Sequence, residues 1–218
     1  MRPTARWTAM ASLILFGLMA CSSNPEPEVE PATDEAPPAA DPGPDPAELA
    51  EAAARSLCEQ AEAAARRGDY EGARRLYNQA MSEYAGTGCA RSASSQIDRI
   101  DAIETLEERI HFAFDRAELS DESVATLNQK ADVLRSHPDV RITIEGHCDE
   151  RGSIEYNFAL GMRRAQAAKN YLSGLGIGED RFRAVSFGKE RPHDPGHNER
   201  AWSQNRRDEF VIENLGSI

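Results

Sequence analysis

His147, Cys148, Asp149 and Glu150 stand in an unbroken row, with Arg151, Glu155, Arg163 and Arg164 close behind. An imidazole, a thiol and two carboxylates are the raw material of a metal site, a nucleophilic centre or an acid–base pair. The spacing argues against all three. Adjacent loop residues point in different directions, and neither HExxH nor CxxC occurs. His193 and His197 are four apart, but Pro195 between them disfavours the helix that would align them. Cys148 reads as a small side chain filling a loop rather than a reactive thiol. The run "GLGIG" (Gly174–Gly178) follows a helical stretch rather than a strand, so it is a C-cap and turn, not a phosphate loop. The row is therefore expected to form a binding surface, with no catalytic residue, no metal and no cofactor.

The elements around it alternate between strand and helix from about Ile110. "IHFAFD" is a short apolar strand ending in a turn. Ser120 can cap a helix with an acidic first turn and a buried stripe of Val124, Leu127, Ala131 and Leu134, stopped by His137–Pro138. "VRITIEG" places Val140, Ile142 and Ile144 on one strand face and Arg141, Thr143 and Glu145 on the other. A helix is expected over 154–173, then two more strands in "RFRAVSFG" and "DEFVIEN". The sum is an α+β layer fold, β-α-β-α-β(-α)-β, with helices on one sheet. Along the 154–173 helix, Asn157, Leu160 and Arg164 share a face, and Asp149 lies on the loop feeding it.

Upstream, residues 47–107 are alanine-rich and helical. Gly68 and Asp69 break one helix, and Ala73, Tyr77 and Ala80 form the buried stripe of the next, similar to one tetratricopeptide repeat. A single hairpin cannot bury its own face, so it must pack on the downstream helix, on the C-terminal domain or on another chain. Cys58 is placed near the start of the first helix and Cys89 just beyond the second, ends that meet in an antiparallel hairpin; a Cys58–Cys89 disulfide is expected.

Residues 22–46 hold eight of the twelve prolines, and nine acids with no base fall in 22–53, which accounts for most of the net charge of −12. That composition predicts a disordered tether over 21–46. No basic stripe is present, which excludes a nucleic-acid partner. Arg2 and Arg6 followed by the apolar "MASLILFGLMA" read as an export signal over residues 1–20. The ending "LMAC" resembles the lipobox of bacterial lipoproteins, which implies cleavage before Cys21, lipidation of Cys21 and, with Ser22 following, delivery to the outer membrane.

With "FAFDRAELS" before it and "SFGKERPHDPGHNERAWSQNRRDEFVI" after it, "EGHCDERGSIEYNFALGMRRA" resembles the OmpA-like peptidoglycan-binding domain family, over about residues 108–214 within a domain of 108–218. The branch it is most similar to is that of the peptidoglycan-associated lipoproteins of the Tol–Pal system. The resemblance implies non-covalent binding of the diaminopimelate-type stem peptide. Arg164 would take its carboxylate and Asp149 its ammonium, with Asn157, Phe114, Asp115, Leu160 and Arg206 lining the pocket. The alternative for Arg164 and Asp149 is a buried structural salt bridge with each other, and both readings are compatible without ligand. The resemblance also implies an outer-membrane lipoprotein facing the periplasm, tethering the membrane to the wall, with Tol proteins as partners. A scaffold for another envelope assembly, recruiting through the helical hairpin, is the second reading. A wall hydrolase or metalloenzyme is the remote third.

Overall fold

The computed structural model describes residues 43–214; the export signal, Cys21 and almost all of the tether lie outside them. Helix α1 (Pro46–Arg66) begins inside the segment assigned to the tether, because Asp45 accepts a hydrogen bond from the Ala47 amide and Pro46 fits the first turn. Asp69 caps α2 (Tyr70–Glu83) and Thr87 caps α3 (Gly88–Glu107) in the same way. The expected stripe of Ala73, Tyr77 and Ala80 is buried, and what covers it is α1 together with α3, through Ala61, Ala93 and Ile100 at Ala73 and Tyr77 and through Ala54 and Cys89 at Ala80. The hairpin is thus completed by the downstream helix into three packed helices.

A disulfide joins Cys58 to Cys89, with their Cα atoms 6.0 Å apart. The placement differs from the expectation: α1 starts well before Cys58, which lies mid-helix, and Cys89 sits in the first turn of α3. The alanine-rich run before Cys58 has too little apolar contrast to mark where the helix starts.

Helix α3 runs straight into the second core. Leu106 is buried with Leu127, Leu134, Ile142, Ile144 and Phe210. The fully buried Lys130 donates from Nζ to the carbonyls of Thr105 (2.8 Å) and Leu106 (2.7 Å) and lies 4.1 Å above the Phe210 ring. An ammonium at a helix C-terminus satisfies carbonyls that have no partner within the helix and meets the negative end of its dipole.

The sheet has the order β1-β4-β2-β3, with β1 (Ile110–His111), β2 (Ile142–His147), β3 (Phe182–Gly188) and β4 (Arg207–Ile212). β2 runs parallel to β3, while β4 is antiparallel to both β1 and β2. Helices α4 (Asp121–Ser136) and α5 (Ile154–Gly174) cover one face, where Ile142 and Ile144 of β2 and Phe210 and Ile212 of β4 point. Glu145, His147 and Glu209 belong to the opposite face by strand alternation. Ser120 caps α4 as expected, and the helix stops before His137–Pro138. The first strand is shorter than "IHFAFD" suggests. Phe112 still donates its amide to the Arg206 carbonyl at 2.9 Å, but Asp115 takes φ 57°, a left-handed turn that carries the chain off the sheet.

Helix α5 meets β2 backbone against backbone. A Cβ at Gly146 would lie 1.9 Å from the Gly161 carbonyl oxygen, and a Cβ at Gly161 would lie 2.4 Å from Ser186 Oγ. Only glycine at both positions permits this approach, and it sets the height of Asn157, Leu160 and Arg164 above the end of β2.

Candidate functional site

All seven residues expected to line a pocket do line one. Phe114, Asp115, Asp149, Asn157, Leu160, Arg164 and Arg206 surround a cavity of about 160 Å³, together with Cys148, Arg151, Gly152 and Tyr156. Four elements supply them: the turn after β1, the loop from β2 into α5, the first turns of α5 itself, and the step from α6 (Glu199–Asn205) into β4. A recess of about 620 Å³ between the end of α3 and the β1–β4 edge contains none of the seven.

The loop between β2 and α5 is shaped by Asn157. Its Nδ2 donates to the carbonyls of Arg151 (2.8 Å) and Ser153 (3.1 Å), and its own carbonyl accepts from Cys148 Sγ at 3.3 Å. Ser153 caps α5 through the Tyr156 amide. Tyr156 in turn donates its hydroxyl to Asp115, which holds the strained turn against the helix.

Arg164 is 0 % exposed, and among the described residues it makes no ion pair. Its Nε donates to the Arg116 carbonyl (2.7 Å), Nη1 to the His147 carbonyl (2.7 Å) and Nη2 to the Ala113 carbonyl (3.2 Å), with Cys148 Sγ 3.5 Å from Nη1. The guanidinium thus clamps the turn after β1 to the end of β2. Of its five N–H groups, one on Nη2 has no partner among the described residues.

Asp149 pairs elsewhere, so the alternative of an Asp149–Arg164 salt bridge is not what these side chains form. Arg151 grips Asp149 with Nε to Oδ1 (3.1 Å) and Nη2 to Oδ2 (2.6 Å), its amide adds a further bond (3.1 Å), and Arg206 Nη1 reaches Oδ2 at 3.2 Å. Burial raises the Asp149 pKa, but the bonds from Arg151 and Arg206 outweigh it and hold the carboxyl below its ordinary value. Arg206 also donates to Phe112 O (3.0 Å) and Glu199 Oε1 (2.7 Å), tying α6 to the turn after β1.

Arg151 is the site residue that sequence reasoning did not single out. Its side chain is 31 % exposed and its guanidinium is sandwiched between the rings of Phe114 (3.9 Å) and Trp202 (4.2 Å). Its position two residues after Asp149 in a tight loop was the available signal. The pocket lining therefore sets three guanidinium groups against two carboxylates, an excess of positive charge facing a small cavity. Cys148 is buried, and that burial pushes its thiol up to about 11.

Residues 111–206 match the OmpA family. A peptidoglycan-associated lipoprotein of Rhizobium meliloti is 41% identical over 133 residues, 61% of this chain and 76% of that protein. One from Legionella pneumophila is 46% identical over 102 residues, 47% of this chain and 58% of that protein. The crystal structure of the peptidoglycan-associated lipoprotein from Burkholderia pseudomallei, 46% identical, aligns over 49% of this chain and 91% of its own with a TM-score of 0.48. By its relation to proteins that share two fifths or more of their aligned residues with it, this chain belongs to the OmpA family, among the peptidoglycan-associated lipoproteins.

Proposed function

We propose that the 160 Å³ cavity holds the diamino acid of a peptidoglycan stem peptide, and that the chain is a non-enzymatic lipoprotein tethering the outer membrane to the cell wall. The observation that carries this reading is the pairing of Asp149 with Arg151. A cation from a half-exposed side chain already occupies the carboxylate that a ligand ammonium would need. When the ammonium arrives, Arg151 swings out of its aromatic sandwich and Asp149 exchanges one cation for another, so it is never left unpaired in a buried place. The ligand carboxylate is drawn by the positive excess and meets the remaining N–H of Arg164, whose other donors keep the pocket wall rigid.

Catalysis is disfavoured by the same chemistry. A thiol pushed to about 11 stays protonated at neutral pH and is a poor nucleophile. Lipid on Cys21 would anchor the chain on the inner leaflet of the outer membrane, with the folded part in the periplasm. The Tol proteins are the proposed protein partners. A second reading, recruitment of a different envelope assembly, is favoured by the three-helix segment ahead of the domain.

The test is co-sedimentation of the full-length chain, in detergent, with purified diaminopimelate-containing sacculi. Wild type should pellet and be released by free stem peptide. Asp149→Ala, checked for folding by circular dichroism, should lose binding by roughly 10- to 100-fold, as expected for a charged hydrogen-bonded pair. A folded Asp149→Ala variant that pellets as wild type does removes the pocket from the account.

A further inference from the structure

The face of the sheet turned away from α4 and α5 carries a second cluster, none of whose residues lines the cavity. Glu145 and His147 lie two apart on β2 and share that face, and Glu209 of β4 stands directly opposite Glu145 in the strand register. Their ligand-capable atoms all fall within 4.8 Å of one another, and His147 Nε2 is 3.8 Å from Glu145 Oε2.

Three features ask for an occupant. His147 is 1 % exposed, yet neither ring nitrogen has a hydrogen-bond partner among the described residues. Buried polar atoms are nearly always satisfied, so an imidazole with two unpartnered nitrogens facing two carboxylates requires explanation. Two carboxylates set directly opposite each other across antiparallel strands repel, and the arginines beside them offset this only in part, through Glu209. Glu209, finally, is held for the purpose. Arg207 Nε donates to its Oε1 (2.8 Å) and Arg109 Nε pairs with the same oxygen (3.0 Å), which fixes the side chain and, among the described residues, leaves Oε2 without a hydrogen bond, as outer partners do for a ligating carboxylate.

We propose that Glu145, His147 and Glu209 form a binding site for a first-row divalent transition metal. One imidazole with two carboxylates is a nitrogen–oxygen donor set suited to zinc and its neighbours rather than to calcium. Ligand atoms around a tetrahedral zinc stand about 3.3 Å apart, so the 3.8 Å gap closes with a small side-chain adjustment. The phenyl ring of Phe187, stacked 5.5 Å from the imidazole, limits its rotation and leaves Nε2 directed along the strand face towards the carboxylates. The site is built from residues 64 positions apart in the chain, which is why the consecutive row at 147–150 gave no sign of it.

The experiment is calorimetric titration of the full-length chain, dialysed against chelator and kept in detergent, with zinc chloride. The expected result is one zinc per chain, with affinity falling at least tenfold in Glu145→Gln and in Glu209→Gln, each shown to be folded by circular dichroism. His197→Ala, at an exposed histidine outside the cluster, should bind as wild type does. Absence of stoichiometric uptake, or uptake that either glutamine variant leaves unchanged, overturns the proposal.

Discussion

Replacing Gly146 by alanine tests whether the pocket depends on the closeness of α5 to the sheet. The added Cβ would sit 1.9 Å from the Gly161 carbonyl oxygen, against an ordinary non-bonded separation of about 3.5 Å. The obstacle is backbone on both sides, so no rotamer change relieves it, and α5 must retreat by roughly 1 Å or more. Overpacking of this kind costs about 1–3 kcal/mol, and a backbone clash belongs at the upper end. About 3 kcal/mol corresponds to a fall of roughly 6–12 °C in melting temperature for a chain of this size. The retreat also pulls Arg164 Nη1 off the His147 carbonyl, now 2.7 Å away, so sacculus binding should drop together with stability. Gly174→Ala is the control: the same chemical change at the end of α5, where a Cβ meets nothing within 4 Å, should leave the melting temperature unchanged or slightly raised. Thermal unfolding followed by circular dichroism reads both. A Gly146→Ala chain that melts within a degree of wild type would refute the close-approach argument.

Arg151→Ala should bind sacculi no more weakly than wild type, because the variant removes the cation that competes for Asp149; a tenfold loss in co-sedimentation would make Arg151 a ligand contact instead. Reducing the Cys58–Cys89 bond, whose partners are 31 residues apart, should lower stability by about 3–4 kcal/mol, measured by urea unfolding with and without dithiothreitol. Burial lowers the Lys130 pKa to about 7. From there up to the ordinary lysine value the unfolded chain binds a proton that the folded chain does not, so this group makes stability rise with pH. Lys130→Met should flatten that slope in urea titrations between pH 7 and 10, and an unchanged slope would contradict the assignment. Cys148, with its thiol near 11, should resist alkylation at pH 8 until the chain unfolds, as followed by peptide mass mapping.

Local features were legible in the sequence because they rest on local chemistry. Ser120 announces its helix by capping, Gly68 and Asp69 announce a break between two helices, and Ala73, Tyr77 and Ala80 announce a buried stripe by spacing. The alternation of Val140, Ile142 and Ile144 announces the face of β2. The pocket residues were reached through family resemblance, but their bonding was not. The Arg206–Asp149 pair spans 57 residues, and the three carbonyl acceptors of Arg164 are backbone atoms that no residue type reveals. The shortness of β1 escaped notice because "HFAF" alternates as a strand would, while the turn at Asp115 is fixed by Tyr156, 41 residues away.

The covalent link between α1 and α3 has a mechanical consequence. Under the proposed function, the molecule is held at its N-terminal side and grips a fixed ligand with its pocket, a rope under load. Force entering at Pro46 crosses from Cys58 to Cys89 and continues down α3 into Leu106 and the sheet core. The residues between the two cysteines, including all of α2, lie off the load path. Unlinked, they could pay out roughly 100 Å of extended chain. The bond withholds that slack, so a pull reaches the sheet without first unravelling the helices.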